Sequence, residues 1–75
     1  MTRKHFIEFN NLFINMFNRF STKKELKVIS SLLWGFVRIC AKHNYKFRLE
    51  LFTRRLEKNL EPKTKTLLKR FKLEF

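Results

Sequence analysis

The chain contains no Asp, no Gln, and only one each of Gly, Pro, Cys, Ala and Trp among 75 residues. Each shortage closes off a class of protein. A glycine-rich phosphate cradle and a turn-rich all-β architecture both need repeated residues at positive φ or in tight turns, and Gly35 and Pro62 alone cannot supply them. A lone Cys40 excludes an intramolecular disulfide framework and fits a reducing compartment. Cys40 and His43 stand three apart on one helical face, and folding can bring His5 near, but zinc needs four ligand positions filled and no Cys-x-x-Cys is present. We therefore expect no metal and no cofactor. Without G-x-S-x-G, H-E-x-x-H or a glycine loop the chain reads as non-enzymatic, with His5 and Glu8 as a local helix pair.

Long apolar runs are missing too. The longest uncharged stretches run from Phe9 to Asn18 and from Val28 to Val37, about half the roughly 20 residues of a membrane-spanning helix. The basic opening Met1-Thr2-Arg3-Lys4 resembles a signal n-region, but Glu8, Asn10 and Asn11 interrupt the apolar residues after it and no small-residue cleavage site appears. The expected location is the cytoplasm of the host cell, with no transmembrane segment.

What is present is a +12 formal charge, from 18 Lys+Arg against six Glu, and ten Phe. Eleven Lys, ten Phe and six Asn are residues with A/T-rich codons, as in the AT-rich genome of a phage, an organelle or a low-GC bacterium. The physical consequence is a core built from Phe. A chain this short buries only about 60% of its unfolded surface, too little for a deep cleft inside its own core.

Helical periodicity organises the apolar residues. Phe6, Phe9, Phe13, Met16 and Phe20 are spaced 3, 4, 3, 4, with Ile7, Ile14 and Phe17 widening the stripe. This predicts a first helix over about 3–20, with Thr2 as its N-cap. Thr22-Lys23-Lys24-Glu25 reads as a capping box opening a second helix over about 23–43, whose seam is Leu26, Ile29, Leu33, Phe36 and Cys40, flanked by Val28, Leu32, Val37 and Ile39. Asn44 suits its C-cap. A third helix over about 48–60 carries Leu49, Phe52, Leu56 and Leu60 and is bounded by Pro62. The expected fold is an all-α, three-helix antiparallel bundle over 1–61 with a basic C-terminal helical tail over 62–75, a short helix at most. That tail holds Leu67, Leu68, Phe71 and Phe75 at helical spacing, with Thr64 or Thr66 as caps, and it either packs on the domain or orders on a partner.

Charge is concentrated in the second half: residues 1–37 hold six basic and two acidic groups, residues 38–75 twelve and four. On helix 2, Lys24, Lys27, Ser31, Gly35, Arg38 and Lys42 share one side. Small Ser31 and Gly35 at its centre can admit a phosphate backbone or another helix. Lys46 lies in the next link; on helix 3, Arg48, Arg55 and Lys58 form a basic edge, whereas Glu50 and Arg54 can pair at i, i+4. Lys63, Lys65, Lys69, Arg70 and Lys72 complete the set in the tail. In a chain of balanced charge such runs are solvated helix faces. At +12, self-repulsion works against the compact state and an anionic partner relieves it. These thirteen cations are the candidate nucleic-acid contacts. Phe at helical spacing is core, but Trp34 and Tyr45 lie off the seams and are candidates for base stacking as well as for packing. Helix 2, the Asn44-Tyr45-Lys46 link and helix 3 share the outline of a helix-turn-helix, with a longer first helix and no Gly in the turn.

The expected function is therefore nucleic-acid binding through phosphate contacts. Alternatives are a protein-binding inhibitor of a host or defence complex (anti-CRISPR-like), a small ribosome-associated protein, and a membrane-active peptide of the bacteriocin type. Heptad-like spacing on helices 1 and 2 admits a homodimer as readily as a monomer. Thr2-Arg3-Lys4-His5-Phe6 and the stretch from Asn44 to Phe52 resemble the opening and the pre-helix segment of a family of small, mostly uncharacterised phage and prophage proteins. Tyr45 stands where that family has proline, and Arg48 where it has a capping Asp. The resemblance implies a three-helix phage accessory protein and brings no activity or site residue with it.

Overall fold

A computed structural model describes residues 3–43 and 47–73, and its regular structure there is helical throughout. The helices are α1 (Arg3–Arg19), α2 (Lys23–His43), α3 (Leu49–Asn59) and α4 (Pro62–Arg70). Thr2, Asn44, Tyr45, Lys46 and Phe75, which carried sequence expectations, lie outside the described residues.

The second helix begins where its capping box places it. The Glu25 backbone N–H donates to Thr22 Oγ1 at 3.3 Å, and the Thr22 hydroxyl donates to the Glu25 carboxylate. Glu25 thus returns to the cap through the hydroxyl instead of the backbone N–H. At 21 residues and about 1.5 Å per residue, α2 runs nearly the whole 33 Å length of the molecule.

Both α2 and α3 pack chiefly on α1. α2 and α3 also meet each other, through Phe36 and Phe52, whose ring centroids lie 5.8 Å apart. The buried core is not built mainly from Phe as the composition suggested: Phe13, Phe17 and Phe52 lie there with Leu26, Leu33, Leu56, Leu60, Leu68, Ile29 and Val37, and most other phenylalanines pack partly buried around it. Around them Phe6, Phe9, Phe36 and Phe47 form ring pairs with centroids 4.9–6.5 Å apart, and Phe6 meets Phe52 edge-on at 5.2 Å. Such tilted and edge-on contacts are the geometry aromatic pairs favour.

The buried stripe of α1 is rotated from the expected one. It runs through Asn10, Phe13, Ile14 and Phe17, while Phe9 is exposed. Asn10 is fully buried because both ends of its amide are bonded: Nδ2 donates to the Phe52 carbonyl at 2.8 Å, and Oδ1 accepts from Arg55 Nη1 at 2.6 Å. Farther along, Asn18 Oδ1 accepts from the Glu61 backbone N–H at 2.9 Å and so holds the α3–α4 corner. Asparagines of α1 therefore fix the register of this helix against α3, a role that a buried polar group among apolar neighbours is suited to play.

Beyond Asn59 the tail forms a fourth helix and, of the two alternatives open to it, packs on the domain. Pro62 ends α3 and opens α4 from its N1 position, where its missing N–H is no loss. Neither Thr64 nor Thr66 caps this helix. Glu61 occupies the N-cap, Thr64 is buried on the inner face, and the Thr66 hydroxyl donates to the Pro62 carbonyl at 3.0 Å. Leu68 enters the core, with Leu67, Phe71 and Leu73 packed against it. The helix closes in a Schellman motif: Leu73 N–H donates to the Leu68 carbonyl at 2.9 Å, Lys72 N–H to the Lys69 carbonyl at 3.2 Å, and Lys72 takes φ 58°. Nine residues are too few for a stable isolated helix. Burial of Leu68 and this closure hold α4 on the domain.

Candidate functional site

The sequence-derived cations fall into three settings. Arg55 is held inward: its Nη1 donates to Asn10 Oδ1 and also to Asn11 Oδ1 at 2.9 Å, so this guanidinium stitches α3 to α1. Its partners are neutral amides and its charge is not cancelled. Lys63 sits 3.5 Å from Glu61 in an exposed ion pair, and Arg54 meets Glu50 at 2.7 Å as the i, i+4 spacing predicts. Exposed pairs of this kind contribute about 0–1 kcal/mol each.

The third setting is the largest. Lys24, Lys27, Arg38, Lys42, Arg48, Lys58, Lys65, Lys69, Arg70 and Lys72 are exposed, and among the described residues none of them has a carboxylate partner. Arg48 occupies the N-cap of α3 without a side-chain cap bond, which leaves its guanidinium open to solvent. On α4, Thr64 and Leu68 point inward, so Lys65, Lys69 and Arg70 project from the opposite side of a docked helix. Lys72 stands next to them in the closing turn. Lys46 and Tyr45 lie outside the described residues.

The outer side of α2 is not the purely polar stripe the sequence suggested. Lys24, Lys27, Ser31, Arg38 and Lys42 are exposed there, and Gly35 is half-buried. Immediately beside them lie Val28, Leu32 and Ile39, 54%, 56% and 63% exposed. These three were expected to flank the buried seam; of the four flanking residues only Val37 is buried. A groove of about 720 Å³ runs along this face, lined by Lys24, Lys27, Val28, Ser31, Leu32, Gly35, Phe36 and Ile39. All of its lining comes from α2. A second depression of about 380 Å³ adjoins it across Ser31 and Gly35, with Trp34, Arg38 and Leu73 on its walls. Trp34 is 37% exposed there.

Cys40 is buried, and burial pushes its thiol pKa up. A protonated, covered thiol is a poor nucleophile. Among the described residues no three His, Cys or Glu side chains are grouped to hold a metal ion, and no helix is long and apolar enough to cross a membrane.

Sequence reasoning missed two features. Asn10 falls in the 4, 3, 4 series Phe6, Asn10, Phe13, Phe17, which marks it as a seam residue once the stripe is centred there. Val28, Leu32, Gly35 and Ile39 form a 4, 3, 4 series of their own, separate from the Leu26, Ile29, Leu33 seam. Comparison with protein-family models, with curated proteins and with solved structures finds no match for this chain.

Proposed function

We propose that this chain is a non-enzymatic, phage-type accessory protein that binds nucleic acid through phosphate contacts. The observation that carries this reading is the scarcity of internal neutralisation. Against a net charge of +12, the described residues contain two ion pairs, both between exposed side chains. Ten exposed cations on α2, α3, α4 and the closing turn are left for an external anion. Lys65, Lys69, Arg70 and Lys72 are the strongest candidates, because a docked α4 presents them from a fixed base. Arg48, Lys58, Arg38 and Lys42 extend the set.

Each cation that neutralises a phosphate releases condensed counterions, so affinity falls steeply with salt. Fluorescence anisotropy with labelled DNA and RNA oligonucleotides at 50 and 200 mM salt tests this. Six contacts predict about a thousandfold loss between those conditions. Absence of binding at the lower salt refutes the reading. A second reading, a protein-binding inhibitor of a host or defence complex, is favoured by one observation: the exposed apolar row on α2.

A further inference from the structure

The outer face of α2 has the relief of a helix that packs on another helix, yet Val28, Leu32 and Ile39 on it stay exposed, and Leu73 from beyond α4 reaches only its edge, at the depression across Ser31 and Gly35. Side chains four apart make ridges on a helix surface, and helices associate by setting ridges into grooves. Here Val28, Leu32 and Phe36 form one ridge, while the next row holds small Ser31 and Gly35 and makes a valley beside it. Gly35 serves no need of this fold. Its φ is not positive, and a Cβ built on it meets nothing within 4 Å. A glycine inside a helix costs about 1 kcal/mol relative to alanine, so the chain carries that cost with open space in front of it.

We infer that this face docks an amphipathic helix of an acidic protein partner. The chemistry of the face decides between occupants. A phosphate backbone fits poorly on Val28, Leu32 and Ile39, which offer it no donor. A second copy of α2 brings the wrong charges. Lys24, Lys27, Arg38 and Lys42 border the apolar row along one flank, and the only carboxylate of α2, Glu25, is committed to its capping box with Thr22. Two such faces would meet cation to cation without compensation. A helix with apolar residues at i, i+4, i+7 and i+11 fills the valley, and carboxylates along one edge of it reach the lysines and Arg38. From Lys24 to Ile39 the groove extends about 22 Å, room for some four turns. This proposal does not depend on nucleic-acid binding, whose strongest candidates Lys65, Lys69, Arg70 and Lys72 lie off this face; Arg38 and Lys42 are the cations the two readings share.

The test uses the full chain and two synthetic helical peptides of about 16 residues, both with Leu at i, i+4, i+7 and i+11. One carries Glu on the flanking positions and the other Lys. In about 150 mM salt, which screens unspecific attraction, the Glu-flanked peptide binds at least about tenfold more tightly than the Lys-flanked one. Leu32→Asn and Gly35→Leu each weaken it by about tenfold or more; Leu32 is exposed and a Cβ at Gly35 meets open space, so neither unfolds the domain, and Gly35→Leu raises the melting temperature through helix propensity. Neutralising Lys65 and Lys69 leaves peptide affinity unchanged within about twofold. Equal affinity for the two peptides overturns the proposal, as does indifference to Leu32→Asn. Two further results overturn it by naming another occupant: a dimer in sedimentation equilibrium that Leu32→Asn dissolves, or binding to anionic phosphatidylglycerol vesicles, with no peptide binding, that Leu32→Asn abolishes.

Discussion

The outer faces of α2 and α4 are both edged with lysine and arginine, yet they differ in what lies between the charges. On α4, Lys65, Lys69 and Arg70 stand on a short helix whose inner residues Thr64 and Leu68 are buried. On α2 the cations run beside Val28, Leu32 and Ile39, which remain exposed although α2 also supplies Leu26, Ile29, Leu33 and Val37 to the core. The same side-chain charge therefore has two physical meanings. Over α4 it is a dense, water-facing field suited to phosphates, with an energy that salt removes. Along α2 it borders an apolar seam, where charge selects and orients a partner while burial supplies most of the affinity.

The contrast depends on α4 being docked, and Leu68→Ala attacks that base directly. Truncating a buried leucine costs about 3 kcal/mol, which in a domain this small lowers Tm by roughly 12–24 °C. Circular dichroism melting reads it, and loss of nucleic-acid affinity should accompany it. Asn10→Ala comes next in size. It removes the bonds to Phe52 and Arg55 from a fully buried position and should cost about 2 kcal/mol, with Arg55 left to Asn11 alone.

Two substitutions should raise stability. Gly35→Ala adds a methyl group to open space on α2 and should gain about 1 kcal/mol from helix propensity, with no change in nucleic-acid affinity. Lys72→Gly relieves a left-handed residue at the close of α4 and should gain about 0.5–1 kcal/mol in urea unfolding. The smallest effect concerns Cys40. Its raised thiol pKa keeps the group protonated at neutral pH, so iodoacetamide should label the native chain slowly. Unfolding in urea restores the ordinary thiol pKa and should accelerate labelling at pH 8.

Helix limits were largely legible because their signals are local: a Thr-x-x-Glu box, a proline and an uninterrupted 3.6-residue period. The docking of α4 was not, since the burial of Thr64 and Leu68 depends on where α1 and α3 already lie. Arg55 read as a surface cation because nothing local distinguishes it from Arg48. Its partners Asn10 and Asn11 stand 45 and 44 residues earlier in the chain. Six asparagines read as codon bias in one dimension; in three, Asn10 and Asn18 hold helices together. The α2 face was half legible. The lysine row and the Ser31–Gly35 pair were visible, but periodicity alone could not assign Val28, Leu32 and Ile39 to the outside of a helix whose opposite side is equally apolar.

If phosphate binding belongs to the α4 field and not to the α2 face, salt dependence must respond to one and ignore the other. The direct measurement is the slope of log affinity against log salt for a DNA duplex, taken for the unaltered chain, for Lys65→Gln/Lys69→Gln/Arg70→Gln, and for Leu32→Asn. Six contacts predict a slope near −5, and neutralising three of them should lower its magnitude by about 3, while Leu32→Asn leaves it unchanged. No binding at 50 mM salt, or a slope that the α4 substitutions do not move, would contradict this division of the surface.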